Sequence, residues 1–258
     1  MASKYYVIWQ GRETGIFTDW ATCKKHIDKF PGAKYKSFKT LAEAESAYTG
    51  RPSNSSTPAS KSVTSAKRNA TSNSIKTYTE SEIDRLDFTT KIYTDGGCEP
   101  NPGEAGSGLA VYRDGEIDEL WFGLYSPNGT NNTAELGALF EALEMAKVEL
   151  VKNRTVAIFC DSKYSIQCVT QWAAGWEKKG WKKAGGEIKN LELIKKIFNL
   201  YQELKGNIKV LHVNGHVGVE GNELADRMSI LAMESKEVKL SRYSKVINIS
   251  SILAMRPG

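Results

Sequence analysis

Between Arg51 and Ser74, 11 of 24 residues are Ser or Thr, interrupted by Pro52 and Pro58 and without apolar periodicity. A stretch of that composition cannot bury enough surface to offset the entropy of ordering it. It limits the chain to separately folded parts on a flexible tether. No strong pattern resumes before Phe88, so the tether is expected over residues 51–88, between a small module at 1–50 and a larger domain at 89–235. A basic tail follows at 236–258. With 258 residues, 40% of them apolar, the chain has ample material for packed cores, and general disorder is excluded.

Charge is placed unevenly along this frame. Residues 1–50 carry +3, 51–88 carry +2, 89–235 carry −4 and 236–258 carry +4, within a net +5. Basic flanks suit a polyanionic partner, whereas carboxylates concentrated in the main domain suit bound cations. No stretch approaches the roughly 18 apolar residues that cross a bilayer, so no membrane partner is expected. The N-terminal residues lack both the apolar core of a secretory signal and the Arg-rich pattern of a transit peptide. An intracellular protein is expected; Lys67-Arg68 is too short to establish nuclear import. Cys23, Cys98, Cys160 and Cys168 form no CxxC pair and are expected to be free thiols.

In the module, residues 5–10, 15–18 and 34–38 read as strands. Asp19 can cap a helix carrying Trp20, Cys23 and Ile27, and the Thr40 to Glu43 capping box opens a second helix running through Tyr48. The large domain begins with strands at 91–94, 108–112 and 119–125, the latter two joined through the hairpin signal Asp114-Gly115. Helical spacing of Leu136, Leu139, Phe140, Leu143, Ala146 and Leu150 follows. Then come a β-rich run at 155–160, a helix from Ser162, a helix at 188–204, a strand at 208–213 and a helix at 222–233. This order describes an α/β domain whose mixed five-stranded sheet is flanked by helices.

Four acids fall at element edges: Asp95 at the end of the first strand, Glu135 at the start of the first helix, Asp161 at the end of the fourth strand and Asp226 early in the last helix. In an α/β sheet such edges converge on one crevice. Four carboxylates there would repel one another unless cations neutralised them. Oxygen ligands without a His or Cys cluster favour Mg²⁺ or Mn²⁺ over zinc. Two such ions would clamp the attacking and leaving oxygens of a phosphoryl displacement. Each acid also has an ordinary reading: Asp95 as a turn residue, Glu135 closing a capping box with Asn132, Asp161 as a helix cap, Asp226 as a solvated helix residue.

Tyr93-Thr-Asp95-Gly-Gly-Cys98-Glu-Pro-Asn101-Pro-Gly103, Thr130-Asn-Asn-Thr-Ala-Glu135, Phe159-Cys-Asp161-Ser-Lys-Tyr and Val213-Asn-Gly-His216-Val-Gly-Val-Glu-Gly-Asn222-Glu-Leu-Ala-Asp226 resemble the ribonuclease H family in order and spacing. Residues 5–48 are similar to the RNA:DNA hybrid-binding module of eukaryotic type 1 members. The resemblance implies a ribonuclease H-like fold and a monomer that cuts the RNA strand of RNA:DNA hybrids, leaving 3′-hydroxyl and 5′-phosphate ends. It makes Asp95, Glu135, Asp161 and Asp226 the ligands of two Mg²⁺ ions, for which Mn²⁺ can substitute, with Asp95 bridging them. His216 takes the place of a mobile histidine, and an imidazole titrating near neutrality suits proton transfer.

The same resemblance implies that Cys98, Asn101, Asn131 and Asn132 meet 2′-hydroxyls in the shallow minor groove. It sets Thr130 and Asn190 against a DNA phosphate, with Asn128 standing where animal relatives often have Arg. The run from Gln171 to Lys183 resembles a basic protrusion. There Trp172 and Trp176 line a DNA-strand channel beside Lys178, Lys179, Lys182 and Lys183, while Trp181 joins the core. Ordinary helix packing and a solvated lysine face are the alternative. In the module, the resemblance implies hybrid contacts from Tyr6, Trp20, Tyr35 and Lys36; Ser37 replaces a Lys common in relatives. A nucleus-located enzyme is expected, with no mitochondrial signal. Two competing readings stay open: another metal-dependent nuclease or strand-transfer enzyme on this fold, and a hybrid-binding protein without chemistry.

Overall fold

Alternation of inward and outward side chains along the central strand sets the architecture of the larger unit. Ile92 enters the core on one face of the sheet and its neighbour Tyr93 enters the core on the other, so helices must cover both faces. The computed structural model describes residues 5–28, 30, 32, 34–38, 40–41, 44–45, 48, 75–183, 185–215 and 218–258. It divides into one unit within residues 1–70 and another over 71–258.

In the first unit, β1 (Tyr5–Gln10), β2 (Gly15–Phe17) and β3 (Lys34–Phe38) form an antiparallel sheet in the order β2-β1-β3. Helix α1 (Trp20–Ile27) starts where expected because the Asp19 carboxylate accepts a 2.8 Å hydrogen bond from the Thr22 N–H. Cys23 and Ile27 of α1 pack on Ile8 to make a small core. The helix expected from Thr40 to Tyr48 falls partly outside the described residues.

The second unit opens with β4 (Thr77–Tyr78) and the short helix α2 (Glu80–Asp84), then the long meander β5 (Thr90–Glu99), β6 (Gly103–Arg113) and β7 (Glu116–Gly129). Asp114 and Gly115, with φ of 54° and 90°, form the two-residue turn between β6 and β7 that their sequence predicts. Helix α3 (Asn131–Val151), β8 (Val156–Cys160) and α4 (Lys163–Gln167) follow. A π-helical turn (Cys168–Trp172) leads into α5 (Ala173–Glu177), and then come α6 (Leu191–Leu204), β9 (Ile208–Val213), α7 (Glu220–Ser235), β10 (Ser241–Arg242) and α8 (Ile249–Leu253). The sheet order is β10-β7-β6-β5-β8-β9-β4, antiparallel through the meander and parallel from β5 to β4. Helices α3 and α6 cover one face through Leu136, Leu139, Ile194 and Ile197, and α7 and α8 cover the other through Leu224, Met228 and Ile252.

The expected mixed sheet is present and is extended at both edges by two-residue strands. The tether is corrected: residues 51–74 lie outside the described residues, but 75–88 are not a tether. There β4 pairs with β9, and Ile83 of α2 is buried beneath the sheet. The tail is corrected as well, since β10 pairs with β7 and Ile252 is 2% exposed. Both segments are too short and too polar to show periodicity, and their few apolar residues become meaningful only once the sheet offers a surface. Among the described residues no helix is long and apolar enough to cross a membrane.

One buried charge ties α3 to the meander. The Glu149 carboxylate accepts 3.0 Å hydrogen bonds from Arg113 Nη2 and Lys152 Nζ and a 3.3 Å bond from the Thr90 hydroxyl, with Arg154 Nε 3.5 Å away. Burial alone would raise this carboxyl, but the hydrogen bonds and positive charges of Arg113 and Lys152 outweigh it and hold Glu149 below its ordinary 4.5. A depressed carboxyl stabilises the fold above its unfolded value and loses that contribution as pH falls. Glu149→Gln is therefore expected to cost about 2–3 kcal/mol at pH 7 in urea unfolding. Its deficit against the parent should narrow as pH drops below 4.5.

Candidate functional site

Glycine 96 explains how two of the four acids meet. A Cβ there would lie 2.2 Å from the Glu135 nitrogen and 2.4 Å from the Ala134 carbonyl carbon, so β5 can touch the start of α3 only without a side chain. Asp95 is thereby set beside Glu135. The cap of α3 is Thr130, whose hydroxyl accepts a 3.1 Å bond from the Thr133 N–H while Thr133 Oγ1 accepts a 2.6 Å bond from the Thr130 N–H. Glu135 is thus relieved of capping duty, against its ordinary reading. Asp161 follows β8 directly, and the next residue, Ser162, caps α4 and donates its hydroxyl to Glu135 Oε2. His212 Nε2 stands 3.0 Å from the Asp161 carbonyl oxygen, and a Cβ on Gly215 would lie 2.6 Å from Asp161 Oδ2. Asp226 comes from α7 and is 2% exposed, so it is no solvated surface acid.

All four carboxyl groups line one cavity of about 270 Å³. Burial pushes Asp95 well above the ordinary carboxylate range, and the charges of Asp161 and Asp226 push it further. Glu135 is raised to about 7, mainly by burial and also by Asp161, with the Ser162 hydrogen bond opposing the rise. An all-oxygen, anionic donor set whose members suppress one another's ionisation suits a hard divalent cation such as Mg²⁺ or Mn²⁺. Among the described residues no three acid, His or Cys side chains are gathered into a ready-made ion cage. Two of these acids also meet other partners: Glu135 meets Ser162, and Asp226 meets the Arg227 guanidinium and the Gly258 N–H. His216 lies outside the described residues.

Beside the acids, the Asn131 N–H donates to Asn101 Oδ1 at 3.4 Å, while Asn131 Oδ1 is enclosed without a hydrogen-bond partner among the described residues. Cys98 donates its thiol to the Pro100 and Gly129 carbonyls at 3.2 and 3.5 Å, and Asn132 is exposed on the first turn of α3. Thr130 and Asn190 each immediately precede a helix. Those helix starts flank a cavity of about 290 Å³ to which Asn128, Gly129 and Leu193 contribute.

The protrusion is divided as its sequence suggests. Tyr164, Trp172 and Trp176 form a chain of rings with centroid spacings of 6.1 and 5.9 Å, and Trp172 is exposed, as are Lys178, Lys179, Lys182 and Lys183. Trp181 instead packs edge-on to Phe198 at 6.0 Å. In the N-terminal unit Tyr6, Trp20 and Tyr35 form a second row, spaced 5.3 and 5.9 Å, with Trp20 and Tyr35 exposed. Lys36 is next along β3 and turns to the other side, its ammonium 5.8 Å from the Phe38 ring centroid.

Sequence reasoning did not find Ser162, His212, Arg227 or Gly258. Ser162 had a signal, being a helix-capping residue adjacent to an acid, and so had Arg227, next to Asp226 and four residues after Glu223; His212 and Gly258 act through tertiary contacts with no local signature.

Residues 88–234 match the RNase H family model, and residues 4–48 match that of the Ribonuclease H1 N-terminal domain. Ribonuclease H1 of Rattus norvegicus is 30% identical over 259 aligned positions, spanning 87% of this chain and 87% of that one. Ribonuclease H1 of Homo sapiens is 31% identical over 255, again 87% of each. Ribonuclease H of Acidovorax sp. (strain JS42) is 40% identical over 144, covering 55% of this chain and 93% of its own. The crystal structure of LC9-RNase H1, a type 1 RNase H with the type 2 active-site motif, shares the fold, with a TM-score of 0.51, 24% identity, and coverage of 64% of this chain and 81% of that one.

The elevated carboxyls have a measurable consequence. A group raised on folding stabilises the protein below its unfolded value and loses that contribution as pH rises through the folded one. Without divalent ions, thermal stability of the parent relative to Glu135→Gln should fall as pH rises from 4.5 to about 7 and then level off. The loss should be on the order of 1–3 kcal/mol. Parallel melting curves of the two proteins across pH 4 to 9 measure it.

Proposed function

The chain belongs to the ribonuclease H family and is a ribonuclease H, and we propose that it hydrolyses the RNA strand of RNA:DNA hybrids endonucleolytically, leaving 3′-hydroxyl and 5′-phosphate ends. The observation that carries this reading is the convergence of Asp95, Glu135, Asp161 and Asp226, from four separate elements, on one cavity where burial, and then the charges of Asp161 and Asp226, raise Asp95. These four residues would hold two Mg²⁺ ions, with Mn²⁺ able to substitute. When bound, the ions supply an activated water and neutralise charge developing on the phosphate.

The chain's own groups do the rest. Ser162 restrains Glu135, and His212 restrains the backbone of Asp161, so both acids are held in place before substrate arrives. His216 is proposed to carry a proton during attack or product departure; its chain neighbour Gly215 abuts Asp161. Asn131 and Cys98 line the acid cavity and Asn101 meets the Asn131 N–H, so with Asn132 beside them these residues are proposed to meet 2′-hydroxyls, the groups that distinguish RNA from DNA. Trp172, Trp176 and the four lysines would track the DNA strand by stacking and charge, and Thr130 and Asn190 would fix one phosphate. In the N-terminal unit Trp20 and Tyr35 are proposed to offer exposed ring faces, backed by the half-buried Tyr6, to the same class of ligand, with Lys36 adding positive charge from the other side of β3. Such an enzyme suits removal of R-loops and of RNA left by DNA replication, which makes the nucleus its proposed compartment.

Asp95→Asn keeps the shape of the side chain and removes an anionic ligand. It should retain the fold and bind hybrid while losing at least about a thousandfold in turnover, of the order expected when a charge-stabilising group central to the chemistry is lost. A uniformly labelled hybrid assayed with Mg²⁺ beside duplex RNA and duplex DNA provides the test, and near-normal cleavage by the variant overturns the assignment.

Deleting residues 1–50 should leave cleavage of short hybrids intact but weaken binding and repeated attack on long ones, because a second linked site raises local substrate concentration. The salt dependence of affinity should also flatten as Lys contacts are lost. Equal kinetics on long hybrids at every salt concentration would assign the module to another partner.

A further inference from the structure

Residues after α7 do more than cover the sheet. Helix α8 is pinned by Ile252, buried in the core with Phe159 and Met228, and the next residues are held where Arg227 Nε donates to the Met255 carbonyl at 3.1 Å. Beyond Met255 the contacts change character. Arg256 pairs with Glu99 at the surface, where both side chains are largely exposed and water screens their attraction. The Gly258 N–H then points into the acid cleft, 3.1 Å from Asp226 Oδ1 and 3.1 Å from Oδ2. Arg227 Nη1 donates to the same Oδ2. A Cβ at position 258 would lie 2.4 Å from Asp226 Oδ1, so a side chain there would push the Asp226 carboxylate aside or lift the segment off it.

We propose that residues 256–258 form a latch over the metal site: a short arm on a firm anchor, whose Gly258 amide competes with divalent cations for Asp226. The inference rests on the reading of Asp226 as a metal ligand. In the latched state the Asp226 carboxylate, which also meets Asp95, accepts from Arg227 and from the Gly258 N–H, and Gly258 lines the same cavity as Asp95, Glu135 and Asp161. Opening breaks an exposed ion pair and one shared N–H donor, while the anchor at Ile252 and Met255 and the Arg227 bond to Asp226 stay in place. One donor fewer then holds the Asp226 carboxylate against a cation.

Titration calorimetry with Mg²⁺ alone, without nucleic acid, reads the competition directly. The proteins compared are the full chain, a chain stopped after Met255, Gly258→Pro, which removes the N–H and sets its ring against the Asp226 carboxylate, Arg256→Ala, and Asp95→Asn. A hydrogen bond to a charged group, discounted for ordering the arm, corresponds to about a threefold to tenfold gain in Mg²⁺ affinity for the shortened chain and for Gly258→Pro, with a smaller gain for Arg256→Ala. The Mg²⁺ needed for half-maximal hybrid cleavage should fall in the same order, while melting temperature in excess EDTA changes little. Equal Mg²⁺ affinity in all the latch variants overturns the latch and leaves the metal site standing. Weaker affinity overturns it too, by showing that the segment holds Asp226 in its binding pose. No Mg²⁺ binding by any of these proteins, or binding unaffected by Asp95→Asn, removes the metal-site reading itself and the latch with it.

Discussion

Holding Asp95 in a partly desolvated cleft beside Asp161 and Asp226 sets like charges against one another where water screens them poorly. Apolar packing supplies the force that brings them there. Asp95 extends the strand that carries Ile92 and Tyr93, Asp161 follows the buried strand β8, and Asp226 lies between Ala225 and Met228 on the buried face of α7. The acids cannot separate without opening the sheet or lifting a helix from it. The repulsion must be relieved locally, and the surrounding chemistry follows from how that is done.

Three kinds of relief occur within the chain. Protons are one, since Asp95 and Glu135 are both raised and take up protons more readily than free carboxyls. Hydrogen-bond donors are another, with Ser162 serving Glu135. Positive charge is the third, from Arg227 against Asp226. The same fold contains a contrasting case at the far end of α3, where Glu149 is as deeply buried yet is held below its ordinary value because Arg113 and Lys152 reach it directly. One carboxylate is fully compensated and structural; the others are left short of positive charge in a cleft open to solvent. Uncompensated charge at the junction of several elements is a mark of a site prepared for a ligand.

The acids were legible in the sequence because each is tied to a feature with its own local signal. Asp95 precedes two glycines, one of which lets β5 touch α3, and Asp161 closes an unbroken apolar strand. Asp226 sits within the apolar periodicity of α7. Tether and tail were misread for the opposite reason. β4 and β10 are two residues each and α2 and α8 five each, below the length at which a periodic pattern exists. What orders them is the sheet edge already formed by β9 and β7, and cavities in the helical layer that Ile83 and Ile252 fill. Such elements follow from the fold and do not announce it. The same holds for His212, which links Thr77 of β4 at 2.8 Å to the Asp161 carbonyl at 3.0 Å, a chain of contacts spanning three distant stretches of sequence.

That last chain gives the misread segments a functional meaning. Thr77 belongs to the stretch once expected to be tether, and Gly258 to the tail; yet each lies one or two hydrogen bonds from a metal-ligand candidate. Their energies differ in kind. The Thr77 and His212 contact is partly buried within the parallel edge of the sheet, where breaking it exposes an unpaired polar group and costs accordingly. The Gly258 contact lies beyond the anchor at Ile252 and Met255, in a segment tied to the surface by an exposed ion pair of Arg256 with Glu99. One edge of the site is therefore fixed by the fold while the other can yield. A cleft that must hold its acids still, and also admit cations and a phosphate backbone, requires both properties. The division follows from where the supporting contacts lie, partly buried at Thr77 and His212 on the Asp161 side and exposed at Arg256 and Glu99 beside the Gly258 contact to Asp226.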